Sequence, residues 1–371
     1  MSSTDNIAAV DKNLAVATSV NAPDLELYDV RKPPFQIYGL YNPTTEPIFK
    51  RMPTEVAEQV SENVASLHKH TSGGRVRFST DSPYIVIKAV MPKVSHFSHM
   101  PLTGSSGFDL YLDSADGSTS AFHRTFVPPY HMTDGYESKV IINRPGKHCF
   151  TLHFPLYNRV DALYVGIAKG SVLEAGAPYR DVAPIVFYGN SITQGGCASR
   201  PGNSYQNILS RQLGIDHVNL GFSGSGLAED AMANYLASLS MSAFVCDYDH
   251  NALTPEHLQN THYKLYKTIR QKHPDVPYIM ISRPDFYYDN IYIGGAENSI
   301  KRRRIILDSY HAAIDSGDSN VYFIDGERIH TGTYGDCCTV DGGHPNDLGF
   351  ALFAEQIGDV LRRSLREGKL K

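Results

Sequence analysis

The chain has 371 residues, of which 42% are hydrophobic and 20% charged, and its formal net charge at pH 7 is -5. This composition is typical of a soluble globular protein and, at roughly 150 residues a domain, predicts about two domains. Apart from Lys301–Arg304, which falls within a predicted helix, the sequence has no long basic run, and no segment approaches the roughly 20 apolar residues of a membrane-spanning helix. We therefore expect neither nucleic acid nor a membrane as a partner.

The N-terminal segment, residues 1–23, is rich in Ser, Asn, Asp and Ala. It lacks the basic flank, apolar core and cleavage site of a secretory signal, so we predict a flexible leader and a cytoplasmic protein. The chain has five cysteines, an odd number, and the adjacent Cys337 and Cys338 would strain any mutual disulfide. Free thiols in a reducing compartment are the simplest interpretation.

Residues 24–175 are predicted to form a β-sandwich with a jelly-roll-like organisation. Short runs of β-branched and aromatic residues alternate with turns of Gly, Pro, Ser and Asp, which is typical of antiparallel strands. The predicted strands are 75–79, 84–88, 108–112, 139–143, 148–153 and 163–167. An amphipathic segment at 55–68 predicts a helix or irregular segment that lies over the sandwich.

Residues 180–371 show a different pattern, in which strands alternate with helices. Five βα units favour a parallel sheet with helices on both faces, so we predict an α/β fold here. The predicted strands are 185–187, 217–220, 243–246, 278–281 and 321–324, and the predicted helices are 204–213, 227–239, 255–273, 299–316 and 347–366.

Ser191 follows the first of these strands, where the apolar run 184–188 stops at Gly189 and Asn190. Chemistry in α/β sheets collects beyond the carboxyl ends of the strands, so Ser191 is a candidate nucleophile. The alternative is a helix N-cap, because a serine oxygen there satisfies an unpaired amide. The nearby Cys197 is a weaker candidate nucleophile, since no base lies near it in the sequence and a small buried thiol is common in cores.

Asp341 and His344 stand just before the last predicted helix, with two glycines between them. A carboxylate that accepts from Nδ1–H fixes the tautomer of an imidazole and leaves Nε2 free to take a proton from a serine hydroxyl. Pro345 favours an extended conformation at His344, which places this residue before the helix. The alternative is a capping carboxylate beside a surface histidine. Together with Ser191 on the same rim of the sheet, the pair predicts a catalytic triad.

Two further strand ends carry candidate donors for an oxyanion. Gly224 lies in the glycine-rich segment after the second α/β strand, and Asn251 lies in the polar segment after the third. Losing one such donor typically costs about 10²–10³ in rate, so acyl transfer needs groups of this kind. Each residue alone is also consistent with an ordinary loop.

Four sequence blocks of the α/β half resemble those of the SGNH (GDSL-like) hydrolases, which are three-layer α/β/α esterases and acylhydrolases. In this chain they read Gly189-x-Ser191, Gly224, Asn251 and Asp341-x-x-His344. The resemblance covers about residues 184–365. It implies that Ser191 is the nucleophile and that its amide, the Gly224 amide and the Asn251 side chain form the oxyanion hole. His344 is then the general base, oriented by Asp341, and no cofactor is implied.

The N-terminal half carries Gly107-Phe-Asp-Leu-Tyr111, which resembles the Gly-x-Asp-Leu-Tyr signature of the β-sandwich domain that precedes some SGNH hydrolases. The third block departs from the family pattern, because His250 and Ala252 flank Asn251 where the family often has Gly and Asp.

Three further residues are candidates for substrate binding: Asn190, His250 and Arg283. For Arg283 a structural ion pair is the alternative. Asp247 and Asp249 form a polar cluster with His250 that suits either a substrate rim or a solvated loop, and we predict no metal site, because further ligands at fixed spacing are missing.

These observations predict a two-domain serine esterase that removes small acyl groups, with O-acetyl expected, from a carbohydrate or related polyol. Acyl transfer to another acceptor and hydrolysis of a lipid or thioester are alternatives. A catalytically silent glycan-binding protein is an alternative of another class. The acyl group, the alcohol, the position on a sugar and the formation of a homo-oligomer are left open.

Overall fold

The computed structural model describes residues 20–284 and 295–371, so nearly all of the predicted leader, residues 1–23, lies outside the described residues. We call residues 20–175 the N-terminal half and residues 180–371 the C-terminal half. Within the described residues, no helix combines the length and the apolar character needed to span a membrane.

The N-terminal half is built from two antiparallel sheets, which confirms the predicted β-sandwich. One sheet has the strand order β1-β9-β4-β7, and the other has the order β10-β3-β8-β5-β6, with β2 paired to β3. The strands are β1 (Leu25–Asp29), β2 (Gln36–Tyr38), β3 (Arg75–Thr80), β4 (Tyr84–Val90), β5 (Phe108–Asp113), β6 (Ser120–Phe126), β7 (Gly135–Ile141), β8 (His148–His153), β9 (Ala162–Ala168) and β10 (Leu173–Ala175). Alternate residues such as Phe78, Phe108, Phe150 and Val165 fill the core of this half.

Several strands were not predicted from the sequence, and β6 shows why. Its side chains are mostly exposed or half-buried, and it pairs only with β5 among the described strands. An edge strand of this kind lacks the apolar alternation that marks a strand in a sequence.

The amphipathic segment 55–68 forms two short helices, α1 (Thr54–Val60) and α2 (Glu62–Leu67). Ser61 separates them, and its hydroxyl accepts a hydrogen bond from the Val64 amide at 3.2 Å, which caps α2. Ala57 and Val64 belong to a hydrophobic core of the C-terminal half, so the segment does not lie over the sandwich as predicted. A short helix α3 (Leu102–Ser105) follows later in this half.

The C-terminal half is a parallel five-stranded sheet with helices on both faces, as predicted. Its strand order is β12-β11-β13-β14-β15. The strands are β11 (Ile185–Gly189), β12 (His217–Gly221), β13 (Ala243–Asp247), β14 (Tyr278–Ile281) and β15 (Val321–Ile324), and the helices are α4 (Ser191–Gln194), α5 (Tyr205–Leu213), α6 (Asp230–Ser238), α7 (Pro255–Lys272), α8 (Gly295–Asp315) and α9 (Asp347–Arg366).

Successive side chains along β11 point to opposite faces of the sheet, which explains why the sheet lies between two layers of helices. Val186 and Tyr188 join the core on one face of the sheet, whereas Ile185 and Phe187 join the core on the other face. Both faces of a parallel sheet must be covered, and helices cover them here. The predicted domain boundaries, 24–175 and 180–371, stay predictions.

The register of the parallel sheet brings three strand ends together. Gly189 at the end of β11 lies opposite Gly221 of β12 on one side and Asp247 of β13 on the other. The loops after these three strands carry Ser191, Gly224 and Asn251, so all three lie at one edge of the sheet.

Candidate active site

Ser191 is the first residue of α4, in a sharp turn at the end of β11. The turn is held by Asn190, whose Oδ1 accepts hydrogen bonds from the amides of Ile192 at 2.7 Å and Thr193 at 3.2 Å. Gly189 is required before it, because a Cβ at this position would clash with the carbonyl oxygen of Asp247. Ser191 is 9% exposed.

Ser191, His344 and Asp341 form a continuous hydrogen-bonded chain. The Oγ of Ser191 lies 2.9 Å from Nε2 of His344, and Nδ1 of His344 lies 2.8 Å from Oδ2 of Asp341. An ionised carboxylate only accepts hydrogen bonds, so Nδ1 carries the proton and Nε2 is free to accept from the serine hydroxyl. The geometry is that of a nucleophile, a base and a group that orients the base.

Asp341 is fixed as a carboxylate by the backbone of its own turn. Its Oδ1 accepts from the amides of Gly343 at 3.0 Å and His344 at 2.7 Å. Partial burial raises the pKa of Asp341, but the hydrogen bonds from His344 and Gly343 outweigh burial and hold this pKa below its usual value. Asp341 therefore stays ionised at neutral pH.

Gly224 and Asn251 lie beside the serine turn. Gly224 has a φ of 67°, a left-handed conformation that favours glycine, and no neighbouring atom lies within 4 Å of the site a Cβ would occupy. The Nδ2 of Asn251 donates to the carbonyl oxygen of Phe222 at 2.8 Å, which ties Asn251 to the loop that carries Gly224. A carboxamide has two N–H donors, so this bond leaves a second one for a ligand.

The N-terminal half packs directly on the serine turn. The Tyr157 hydroxyl donates to the Ser191 carbonyl oxygen at 2.8 Å, and the Ser72 hydroxyl donates to the Gln194 carbonyl oxygen at 2.6 Å. The side chain of Gln194 bonds in two directions. Its Nε2 donates to Nδ1 of His70 at 3.1 Å, and its Oε1 accepts from the Ser223 amide at 3.0 Å. One glutamine thus joins the nucleophile turn, the sandwich and the Gly224 loop.

Arg51 supports the same loop from behind. Its Nη1 donates to the carbonyl oxygens of Gly221 at 2.6 Å and Asn219 at 3.2 Å, and its Nη2 donates to that of Leu67 at 2.8 Å. The guanidinium also lies over the ring of Phe222, 4.6 Å from its centroid. Arg51 is 1% exposed, and burial lowers its pKa to about 9, which leaves it charged at pH 7.

A cavity of about 330 Å³ opens between the halves beside Gly224. The N-terminal half contributes Leu67, Phe97 and Tyr157 to its wall, and the C-terminal half contributes residues 223–225. On the other side of the site, the His99 ring of the N-terminal half lies 5.5 Å from the His344 ring, measured between centroids. Both halves therefore line the candidate active site.

The Gly-x-Asp-Leu-Tyr signature connects the halves. Oδ2 of Asp109 accepts from Nη1 of Arg200 at 2.9 Å and from the Gly202 amide at 2.8 Å, and Arg200 also donates to the Tyr111 hydroxyl. Oδ1 of Asp109 lies 2.9 Å from Nδ1 of His153. This contact anchors the segment that follows the nucleophile turn.

The remaining predicted substrate ligands lie near the site but not all at its surface. Asn190 is buried and donates from Nδ2 to the Asp247 carbonyl oxygen at 2.7 Å. Arg283 is buried, with its Nη2 2.7 Å from Oγ of Ser299, and His250 is half-buried. Their roles in substrate binding stay predictions.

The thiol of Cys197 is a poor nucleophile in this environment. Cys197 is buried, and burial raises its pKa to about 12, so it remains protonated at neutral pH. The Cys197 amide donates to the Pro345 carbonyl oxygen at 2.9 Å, which connects the two candidate catalytic loops through the backbone.

His99, Asp341 and His344 place three potential ligand atoms within 4.8 Å of one another. Nδ1 of His344 and the carboxylate of Asp341 already bond to each other, so a metal here would compete with that bond. In the polar cluster predicted after β13, Asp247 accepts from the hydroxyls of Thr193 and Tyr205 instead of facing a ligand. The absence of a metal site stays a prediction.

Two known protein families match the two halves of the chain. The GDSL-like lipase/acylhydrolase family matches residues 182–362, and the GxDLY family, the N-terminus of SGNH-hydrolase-type esterases, matches residues 25–173. Residues 182–362 therefore belong to the GDSL-like lipase/acylhydrolase family. The preceding segment belongs to the GxDLY family, so the resemblance seen in both halves of the sequence is confirmed.

Solved structures with this combination of halves match over nearly the whole chain. A GDSL-like lipase from Bacteroides ovatus is 28% identical, with a TM-score of 0.80 over 91% of this chain and 98% of that chain. A salicylyl-acyltransferase from a tetracycline biosynthetic pathway is 19% identical, with a TM-score of 0.71 over 92% and 98%. An active-site mutant of a family two carbohydrate esterase from Clostridium thermocellum is 14% identical, with a TM-score of 0.63 over 90% and 99%. No curated protein matches the chain.

The supporting residues of the N-terminal half were not found from the sequence. Arg51, Tyr157 and His99 belong to no local motif, and they reach the site only because the two halves pack together. The one available signal was the Gly-x-Asp-Leu-Tyr signature, whose Asp109 indicates that the sandwich docks on the α/β half.

Proposed function

We propose that this GDSL-family protein is a serine esterase that removes small acyl groups, with O-acetyl expected, from a carbohydrate or related polyol. The observation that carries the proposal is the chain from Ser191 Oγ through His344 to Asp341, at 2.9 and 2.8 Å. This hydrogen-bonded chain lies beside Gly224 and Asn251, at the edge of the sheet where the family resemblance predicts them.

The first half-reaction transfers the acyl group to the enzyme. As Ser191 Oγ attacks the ester carbonyl carbon, its proton moves to Nε2 of His344, and the imidazolium is stabilised by the Asp341 carboxylate. The carbonyl oxygen becomes an oxyanion that accepts hydrogen bonds from the amides of Ser191 and Gly224 and from Nδ2 of Asn251. Collapse of this intermediate breaks the bond to the alcohol oxygen, which takes the proton from His344.

The second half-reaction releases the acid. A water molecule gives a proton to Nε2 of His344 and attacks the acyl-enzyme, and the same three donors hold the second oxyanion. Collapse returns the proton to Ser191 Oγ and leaves the carboxylic acid. Replacing water with another alcohol in this step would give acyl transfer, which the fold shared with the salicylyl-acyltransferase favours as the second candidate function.

Two observations support a polar alcohol in the substrate. The cavity beside Gly224, about 330 Å³, combines the aromatic rings of Phe97 and Tyr157 with the hydroxyl groups of Ser223 and Ser225, a mixed wall that suits a sugar. The fold is shared with a carbohydrate esterase, which motivates a carbohydrate as the first substrate to test.

The test is acetate release from acetylated sugars by wild type and Ser191→Ala, with p-nitrophenyl acetate as a generic ester. We expect Ser191→Ala to lose at least about 10⁴-fold in kcat while its Tm stays unchanged. Asp341→Asn should retain more activity than His344→Ala. Ser242→Ala is a matched control, because Ser242 is a buried serine at the amino end of β13, away from the site.

Equal turnover by wild type and Ser191→Ala would contradict the mechanism. Turnover of p-nitrophenyl acetate without release from any sugar would keep the serine chemistry and favour acyl transfer or another ester.

A further inference from the structure

A second cavity of about 340 Å³ adjoins the cavity beside Gly224, and the two share Ser66 and His70 in their walls. It belongs entirely to the N-terminal half. Besides the shared residues, its wall consists of Lys69, Pro92, Lys93, Ser95, Asn158 and Arg159. The two cavities therefore lie side by side.

The charge of the second cavity differs from that of the protein. The chain carries a net charge of -5, yet the wall holds three basic side chains, Lys69, Lys93 and Arg159, and no acidic one among the described residues. Within residues 20–284 and 295–371, neither lysine forms an ion pair. A cleft lined with one sign of charge raises the local concentration of ligands with the opposite sign.

The other groups of the wall are held in place as donors. Arg159 is fixed by Asp161, which accepts from its Nη2 at 2.8 Å and also from its Nε. Burial lowers the pKa of His70 to about 3, so the ring is neutral, and its Nδ1 accepts from Nε2 of Gln194 at 3.1 Å. The proton of His70 therefore sits on Nε2, where it is a hydrogen-bond donor.

The floor of the cavity is held by hydrogen bonds. Asn158 is 2% exposed, and its side chain bonds to both backbone groups of Ser95, through Oδ1 at 2.8 Å and Nδ2 at 3.1 Å. This pair fixes the loop that carries Lys93 against the end of the loop that carries Arg159. The basic side chains are thus carried by loops that hydrogen bonds tie to each other.

We propose that this second cavity is a subsite for an anionic group on the alcohol part of the substrate, so that the preferred ester is an O-acylated acidic sugar. The inference rests on the proposed function, because it assumes that the ester is cleaved at Ser191. The small cavity beside Gly224 takes the ester, and the carboxylate of the sugar pairs with Lys69 and Lys93. Partly exposed pairs of this kind contribute modestly and are screened by salt.

The test compares acetylated methyl glucuronide, which is anionic, with acetylated methyl glucoside, which is neutral and nearly the same size. We expect wild type to show a kcat/KM roughly five- to tenfold higher for the anionic sugar at low salt, as modest charge pairing predicts. The Lys69→Gln/Lys93→Gln double variant should bring this ratio to about one through KM, with turnover of the neutral sugar unchanged. Added salt should lower the wild-type ratio in the same direction.

Lys32→Gln/Lys169→Gln is the matched control. It removes two exposed lysines of the N-terminal half that lie outside both cavities and, like Lys69 and Lys93, form no ion pair within the described residues. An equal ratio in wild type and the Lys69/Lys93 variant overturns the subsite, and so does a wild-type preference for the neutral sugar.

Failure of the proposed function gives a different result. An enzyme that cleaves p-nitrophenyl acetate but neither sugar ester contradicts the carbohydrate substrate. Inhibition of that cleavage by methyl glucuronide, and not by methyl glucoside, then still supports the anionic subsite. Equal inhibition by the two sugars overturns it.

Discussion

The two halves of the molecule contribute different kinds of groups to one site. The C-terminal half supplies every group that we propose to touch the reacting atoms: Ser191, Gly224, Asn251, Asp341 and His344. The N-terminal half supplies groups that hold those residues from behind, chiefly Arg51 and Tyr157, and much of the cavity wall. The N-terminal half is therefore part of the candidate active site.

This difference explains why local sequence motifs reveal the site residues of the C-terminal half and miss the supporting residues of the N-terminal half. Ser191, Gly224 and Asn251 follow the ends of three adjacent parallel strands, and Asp341 and His344 lie in the turn just before α9. Each is therefore marked by a turn in the sequence next to a recognisable strand or helix. The supporting groups bond to backbone atoms across the interface between the halves, and no local pattern marks such a contact. Removing a support should therefore lower activity without altering any group of the triad.

Among the supporting residues, the largest effect is expected from Arg51→Met. The substitution keeps most of the side-chain volume but leaves the carbonyl oxygens of Asn219 and Gly221 without their charged donor, so the loop that carries Gly224 should shift. Since misplacing a catalytic group by about 1 Å can cost about 10²-fold in rate, we expect a loss of that order in kcat, with a smaller change in KM. Steady-state kinetics on p-nitrophenyl acetate measure both. Arg51→Lys should recover part of kcat, because an ammonium can still donate to one carbonyl.

Arg31→Met is the control for Arg51→Met. Arg31 also donates to backbone carbonyls, those of Pro43 at 3.1 Å and Asp161 at 2.9 Å, and lies over the Phe49 ring, but within the sandwich. Both variants should lower Tm, whereas only Arg51→Met should lower kcat. Equal kcat values in the two variants would reduce Arg51 to a residue that only stabilises the fold.

A smaller effect is expected from Tyr157→Phe. It removes the hydrogen bond to the Ser191 carbonyl oxygen, 2.8 Å long, and leaves the ring in the cavity wall. A neutral hydrogen bond contributes about 1 kcal/mol, so we expect kcat to fall roughly fivefold if the bond orients the nucleophile turn. Tyr136→Phe is the control, because the Tyr136 hydroxyl donates to the Phe126 carbonyl oxygen at 2.9 Å inside the sandwich core. A drop in Tm without a change in kcat for Tyr157→Phe would show that the bond serves stability alone.

Most of the fold was predictable from the sequence, and the exceptions have physical causes. The parallel strands are short apolar runs buried on both faces, so their sequence pattern is strong. Strand β6 and the break at Ser61 were missed, since an exposed edge strand and a hydroxyl cap leave weak patterns. Asp109 was recognised only as part of a signature, and its bonds to Arg200 and Gly202 depend on how the two halves of the molecule pack together.

The two halves also differ in the pKa shifts of two buried aspartates, which run in opposite directions. Burial raises the pKa of Asp109 in the sandwich, but its contacts with His153 and with the charged Arg200 outweigh burial, and the pKa lies below its usual value. In the C-terminal half, burial of Asp247 outweighs the nearby His250 and the hydroxyl groups of Thr193 and Tyr205, and raises the pKa of Asp247 to about 7. One carboxylate is thus stabilised by folding, and the other is destabilised.

The smallest effect is expected from Asp247→Asn, and its sign depends on pH. Between the usual carboxyl pKa near 4 and about 7, folded Asp247 holds a proton that the unfolded chain releases, so wild type loses stability as pH rises through this window. Asparagine cannot ionise and can still accept from the Thr193 and Tyr205 hydroxyls. Asp247→Asn should therefore have a Tm at pH 8 that is a few degrees above that of wild type, with the gain shrinking toward pH 5. Thermal unfolding at the two pH values measures this difference.

Asp109→Asn should instead lower Tm at pH 8, because the pKa of Asp109 is depressed and the negative charge that the substitution removes is stabilising there. A gain in Tm from both substitutions would contradict the opposite pKa shifts of the two aspartates.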